Sequence, residues 1–135
     1  MRPGNGFTLI EMMVVLSIMG LLGGLVLLRG PQRNAAVDMR QATSLVAGDF
    51  RVARSQAIAR NRPVSVQFAS DGASLQVGDA ALQRLPPGIR MVAGARQILF
   101  RPDGSSTGGE VRLAGGARIA ALTVNWLTGR VTKTP

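Results

Sequence analysis

Apart from Thr8, Glu11 and Ser17, every position from Phe7 to Leu28 is apolar or glycine. At 1.5 Å per residue this run of about 22 residues makes roughly 33 Å of helix, enough to cross the hydrocarbon core of a bilayer. Gly20 and Gly24 form a small-xxx-small face that lets helices approach closely in lipid, while the same glycines and Gly23 are equally places where a helix can bend. Arg29-Gly30-Pro31 interrupts the pattern, since proline disfavours helical conformation in the residue before it. From about Asn34 to Arg60 a second helix is predicted. Ala35, Met39, Ala42, Val46, Phe50, Ala53 and Ala57 recur at spacings of three and four, with Leu45 and Val52 widening the stripe. Asp38, Arg40, Asp49, Arg51, Arg54 and Arg60 fall mainly on the wetter face, so the stripe predicts a helix packed on a sheet.

Past Asn61 the period changes to alternation. Val64-Ser65-Val66-Gln67-Phe68, a turn at Ser70-Asp71-Gly72 and Leu75-Gln76-Val77 predict a β-hairpin. Ala81 to Leu85 runs into Pro86-Pro87-Gly88, which cannot remain in a central strand. Further strands are predicted at Ile89 to Val92, Gln97 to Arg101 and Glu110 to Leu113. A long one follows at Ala117 to Trp126, with Leu122, Val124 and Trp126 on one side, and a short one at Arg130 to Thr132. Pro102 to Gly109 is Gly- and Ser-rich but lacks the phosphate-binding Gly-Lys-Ser/Thr pattern, so a mobile hairpin loop is expected there. The fold class is α+β: a long N-terminal helix, first transmembrane and then amphipathic, packed on a small antiparallel β domain of two sheets.

Composition narrows the chemistry. The 135 residues leave room for a membrane helix and one domain of about 100 residues. With no cysteine there is no disulfide, thiol nucleophile or Cys-based zinc site, and with no histidine the usual general base and commonest metal ligand are missing. The seven acidic residues show no paired-carboxylate spacing. No catalytic residue, metal or cofactor is expected, and the chain does not read as an enzyme. The net charge of +9 fits either a generally basic solvated surface or a site for nucleic acid, anionic lipid or an acidic protein; only Arg51, Arg54, Arg60 and Arg62 are locally concentrated.

Glu11 is the one ionisable side chain in the apolar run, about one helical turn from its start. A lone carboxylate in lipid costs on the order of 3 kcal/mol, so it calls for a cation. The preceding Met1-Arg2-Pro3-Gly4-Asn5-Gly6 is not a secretory signal, whose cleavage site follows the apolar region. Cleavage between Gly6 and Phe7 would keep the helix and leave a new α-amine on Phe7, four residues before Glu11. Within one helix or between staggered neighbours, that amine pairs strongly with a carboxylate in low dielectric.

Gly6-Phe7-Thr8-Leu9-Ile10-Glu11 followed by a continuous apolar helix resembles the signal of type IV pilins and of the pseudopilins of type II secretion. The resemblance implies cleavage after Gly6 by a prepilin peptidase, N-methylation of Phe7, and subunit assembly through Glu11 and the Phe7 amine of a neighbour. Phe100-x-Pro102-Asp103-Gly104-Ser105-Ser106, Gly108-Gly109 and Leu127-Thr128-Gly129-Arg130 are similar to the GspH/FimT family of minor pseudopilins and pilins, most of all to its GspH branch. By that resemblance residues 1–6 are a leader, 7–28 a transmembrane assembly helix, 29–61 the periplasmic part of the N-terminal helix and 62–135 a periplasmic β domain.

The implied function is that of a minor pseudopilin in the tip complex of a type II secretion pseudopilus, which helps export folded proteins across the outer membrane. Its implied partners are other minor pseudopilins, the major pseudopilin, the prepilin peptidase and inner-membrane lipid. A positive-inside count, with Arg2 against Arg29, Arg33 and Arg40, favours a cytoplasmic C-terminal domain. Family-type processing requires the opposite: a single-pass inner-membrane protein with its N-terminus cytoplasmic and its domain periplasmic. The alternative is a FimT-like minor type IV pilin that binds DNA for natural transformation, with Arg130 and Lys133 as candidate phosphate contacts. Thr132 stands where a closer FimT match carries a second arginine.

Overall fold

The computed structural model describes residues 8–28 and 34–134. The chain divides into two units, Met1–Arg33 and Asn34–Pro135. In the first, a single helix α1 runs from Leu9 to Leu28, and among the described residues it is the one helix long and apolar enough to cross a membrane. Thr8 caps it: the Glu11 N–H reaches both the Thr8 carbonyl at 3.1 Å and its Oγ1 at 3.3 Å. Ser17 returns its hydroxyl to the Met13 carbonyl at 2.8 Å, so it adds no free polar group to the helix. Gly6, Phe7 and the break at Arg29-Gly30-Pro31 lie outside the described residues.

The second unit is built on α2 (Ala35–Arg60). Asn34 caps its start, accepting from the Ala36 N–H at 3.1 Å, and Asn61 ends it in the left-handed region with φ 49°. Eight strands follow: β1 (Val64–Phe68), β2 (Ser74–Val77), β3 (Gln83–Arg84), β4 (Arg90–Ala93), β5 (Gln97–Phe100), β6 (Gly109–Gly115), β7 (Arg118–Val124) and β8 (Val131–Thr134). They form two antiparallel sheets, ordered β3-β2-β1-β5 and β4-β6-β7-β8. The predicted hairpin is β1–β2, in the register Val66↔Val77 and Phe68↔Leu75, and the Pro-terminated segment is the edge strand β3. At the hairpin turn the Gly72 carbonyl accepts from the Met91 N–H of β4 at 2.7 Å, tying one sheet to the other. A Cβ at Gly72 would lie 2.4 Å from the Met91 carbonyl oxygen, so only glycine permits this approach.

Both sheets contact α2. The buried helix face is Met39, Ala42, Thr43, Val46, Ala47, Phe50, Ala53 and Ala57. Its small residues let the helix sit close to the strands, while Phe50 fills the centre: its ring stands 6.2 Å from those of Phe68 and Phe100, edge-on to the first and tilted against the second. Buried Thr43 satisfies its hydroxyl within the helix, on the Met39 carbonyl at 2.7 Å.

Three readings of the pattern are corrected. Val52 is exposed because it falls on the side of the helix nearly opposite the buried line, and Ala35 because it opens the helix a full turn before the first buried residue, Met39. Trp126 is 66% exposed: β7 stops at Val124 and the chain turns at Asn125, so the alternation that buries Leu122 and Val124 does not extend to it. Pro102 to Gly109 is a hairpin only at its start: Leu99 and Phe100 pair back with Thr107 and Ser106 around residues 101–105, and the chain then crosses to β6 in the other sheet, with Gly104 and Ser106 buried.

Candidate functional site

Glu11 sits in the first turn of α1, on a helix otherwise free of charge. Among the described residues it forms no ion pair. Its position is set locally: Thr8-Leu9-Ile10-Glu11 is a Thr-x-x-Glu capping sequence, and the Thr8 bonds start the helix so that Glu11 falls three residues after the cap. A carboxylate there gains from the positive end of the helix dipole and still presents its charge outward for an external cation. The same stretch therefore carries two signals in sequence, a helix cap at Thr8 and the candidate processing junction before it.

In the second unit the structure brings together two stretches that lie apart in sequence. The crossover Phe100 to Ser106 and the turn Asn125 to Gly129 close against each other and against Arg54 of α2. Within the crossover, Ser105 donates its backbone N–H and its hydroxyl to Asp103 Oδ1 at 2.9 and 2.6 Å, and the Arg101 N–H donates to the Ser105 carbonyl at 2.9 Å. The Ser105 side-chain and backbone bonds hold the Asp103 carboxyl below its ordinary value. Within the turn, Asn125 Oδ1 accepts from the N–H groups of Leu127 and Thr128 at 3.0 and 2.9 Å. Ser106 joins the two, its N–H on the Trp126 carbonyl at 2.8 Å and its hydroxyl on the Asn125 carbonyl at 3.1 Å.

Arg54 clamps this junction, donating from Nε to the Gly104 carbonyl at 3.1 Å. A Cβ on Gly129, whose φ is +61°, would stand 2.3 Å from the Gly104 oxygen and 3.0 Å from the Arg54 side chain. The glycines of the two motifs are therefore there so that two backbones and a guanidinium can meet in one place. This corrects the placement of Arg54 and Asp49 on a solvated face. Arg54 is half-buried and occupied by backbone. Asp49 is likewise half-buried, its Oδ2 has no hydrogen-bond partner among the described residues, and burial raises its pKa. Nothing local signalled either, since the partners of Arg54 lie about fifty residues or more downstream.

Arg130 and Lys133 are not brought together. Arg130 is exposed in the turn that leads into β8, while Lys133 donates to Ser44 Oγ of α2 at 3.3 Å. Three residues apart along an extended segment, they point to opposite faces.

The family model described as Type II transport protein GspH matches residues 42–129, and that of the prokaryotic N-terminal methylation motif matches residues 1–27. The chain is 28% identical over 147 residues to the Type II secretion system protein H of Xanthomonas campestris pv. campestris, covering 99% of this chain and 85% of that protein. It is also 28% identical over 131 residues to the competence protein ComGD of Bacillus subtilis, covering 94% of this chain and 91% of that one. In fold it is similar to the type IV minor pilin FimU of Pseudomonas aeruginosa, with a TM-score of 0.61 and 17% identity over 71% of this chain and 87% of that chain. It is similar also to the minor pseudopilin EpsH of Vibrio cholerae, with a TM-score of 0.54 and 14% identity over 71% of this chain and 94% of that chain. An apolar N-terminal helix under a methylation motif, a second helix laid on two antiparallel sheets, and the GspH match across both of the motifs that Arg54 joins lead to one conclusion: the chain belongs to the GspH family of type IV pilin-like minor pseudopilins.

Proposed function

We propose that this chain is a minor pseudopilin of a type II secretion system, placed with other minor pseudopilins at the tip of a filament of the major pseudopilin. A prepilin peptidase removes residues 1–6 at the Gly6-Phe7 junction, and the Phe7 amine is methylated. The helix over 7–28 anchors the protein in the inner membrane, with the leader cytoplasmic and residues 29–135 periplasmic, α2 and the β domain of 62–135 among them. Catalysis belongs to the peptidase and to the assembly ATPase, and this chain contributes binding surfaces.

One observation carries the reading: Glu11 is the sole charge of a membrane-length helix and has no ion-pair partner among the described residues. In lipid its carboxylate costs on the order of 3 kcal/mol until a cation meets it. The amine freed on the Phe7 of an adjacent subunit meets that need at fixed longitudinal register, which turns a burial penalty into a specific assembly contact. Support for the secretion role comes from the GspH match over residues 42–129 and from the likeness to protein H along 99% of the chain.

A second reading, a minor pilin of a DNA-uptake filament, is favoured by the likeness to ComGD over 94% of the chain. In it Arg130 and Lys133 contact phosphate, but on opposite faces they cannot act as one patch. Deleting the gene and scoring exoprotein secretion and DNA uptake in the same strain separates the two. The proposal expects secretion lost and uptake retained, and the reverse pattern transfers the chain to the second reading.

A further inference from the structure

Among the described residues the second sheet has an open stretch. β8 pairs with Ala121 to Val124 of β7, so Arg118, Ile119 and Ala120 have β6 on one side and, among the described residues, no strand on the other. That gap opens into a groove of about 590 Å³ between the first half of α2 and the start of β7, lined among others by Met39, Arg40, Arg118, Ile119, Ala120 and Lys133. Its charge is one-sided. Arg40, Arg118 and Lys133 bring three cations, no Asp or Glu is among its described lining residues, and the ion pair found among the described residues, Arg112 with Glu110, lies elsewhere. Among the described residues Lys133 is held by the neutral Ser44 hydroxyl and has no ion-pair partner. Met39 and Ala120 give the floor apolar surface, while Ile119, 68% exposed, falls by strand alternation on the opposite face of the same open edge.

We propose that this groove takes an extended acidic segment of a partner protein, which adds to the open edge of β7 as a strand in line with β8. The backbone groups of Arg118 to Ala120, which have no strand beside them among the described residues, supply the ladder, as in other β-augmentation sites. Side chains of an extended segment alternate between two faces, so carboxylates of one set reach Arg40, Arg118 and Lys133 on the side of α2 while apolar side chains of the other set lie on Ile119 on the outer side. A nucleic-acid strand fits the same groove less well, because no aromatic side chain lines it to stack a base. The site lies wholly within the unit Asn34–Pro135, and its use depends neither on processing at Gly6 nor on which filament the protein serves.

The test uses the full chain in detergent micelles and a fluorescent peptide of alternating glutamate and valine, with binding read as anisotropy. Saturable binding is expected. It should fall at least about tenfold when Arg118→Glu and Lys133→Glu are combined, and by a similar factor for Ile119→Asp alone, which leaves the cations in place. Arg84→Glu, on the exposed edge strand of the other sheet, should change it less than about twofold. The same peptide N-methylated at alternate backbone nitrogens should bind poorly, because it cannot complete a ladder. Far-UV circular dichroism of each variant verifies the fold. The proposal is overturned if the peptide does not bind, which would make these cations edge-blocking charges only. It is overturned equally if binding ignores Ile119→Asp and N-methylation, or if duplex DNA occupies the groove at lower concentration than the peptide.

Discussion

At the scale of the residue, function and stability rest on groups whose partners are external or distant. Glu11→Ala is expected to abolish incorporation into filaments, read by shearing and immunoblotting, while the thermal transition of the second unit stays where it was; a fully functional variant would remove the role assigned to the carboxylate. Arg54→Ala should cost about 1–2 kcal/mol in urea unfolding, the scale of a half-buried hydrogen bond from a charged donor. Gly129→Ala should cost more, about 2 kcal/mol or above, since it strains the left-handed backbone and drives a methyl against the Gly104 oxygen. Asp49 and Asp103 have opposite signs with pH. Burial raises the folded pKa of Asp49 above 3.8, so the folded state holds the proton more tightly and stability falls as pH rises from 3.8 through the raised value. Asp49→Asn should therefore improve relative to the parent protein over that interval. For Asp103, held low by Ser105, the contribution is present above 3.8 and disappears as pH falls through the folded value, so Asp103→Asn should lose its disadvantage in acid. Urea melts across the acid range read both.

At the scale of the element, α2 decides the domain. Its stripe was legible because a helix in contact with sheets must repeat apolar residues every three to four positions, and Met39, Ala42, Val46, Phe50, Ala53 and Ala57 do so and are buried. The edges of the stripe were not legible: periodicity gives an angle, whereas burial also depends on how far the sheets reach around the helix. Phe50→Ala, which empties the centre of the aromatic cluster, should cost about 3–5 kcal/mol, a large share of the stability of a domain this size. Val52→Ala, on the exposed flank, should stay within about 0.5 kcal/mol. Asn34→Ala should cost about 1 kcal/mol through the lost cap on Ala36. Denaturant midpoints for the three rank the core, the cap and the flank in that order. Most strands were legible for a related reason, because alternation and glycine turns are local. The extent of β7 was not, since Asn125 turns the chain with its own side chain before the alternation runs out.

At the scale of the whole molecule, Met1–Arg33 and Asn34–Pro135 are separate units, and the second holds its own core. A chain starting at Asn34 is expected to be soluble and to unfold in one cooperative transition by circular dichroism, whereas a polydisperse, non-cooperative product would show that the core needs the first helix. By itself the sequence determined what is local or periodic: a membrane-length apolar helix with one carboxylate near its start, an amphipathic helix, alternating strands and the two-layer class they must form. Those follow from hydrogen-bond geometry and from keeping apolar surface out of water, which act over a few neighbouring residues. Only the tertiary structure decided that strands five and six fall in different sheets, that the Gly104 and Gly129 motifs meet under Arg54, that Arg130 and Lys133 part company, and that a cationic groove opens beside β7. Each of these depends on which distant segments share space. Chain connectivity leaves many such pairings open, and the packing of the whole core selects one.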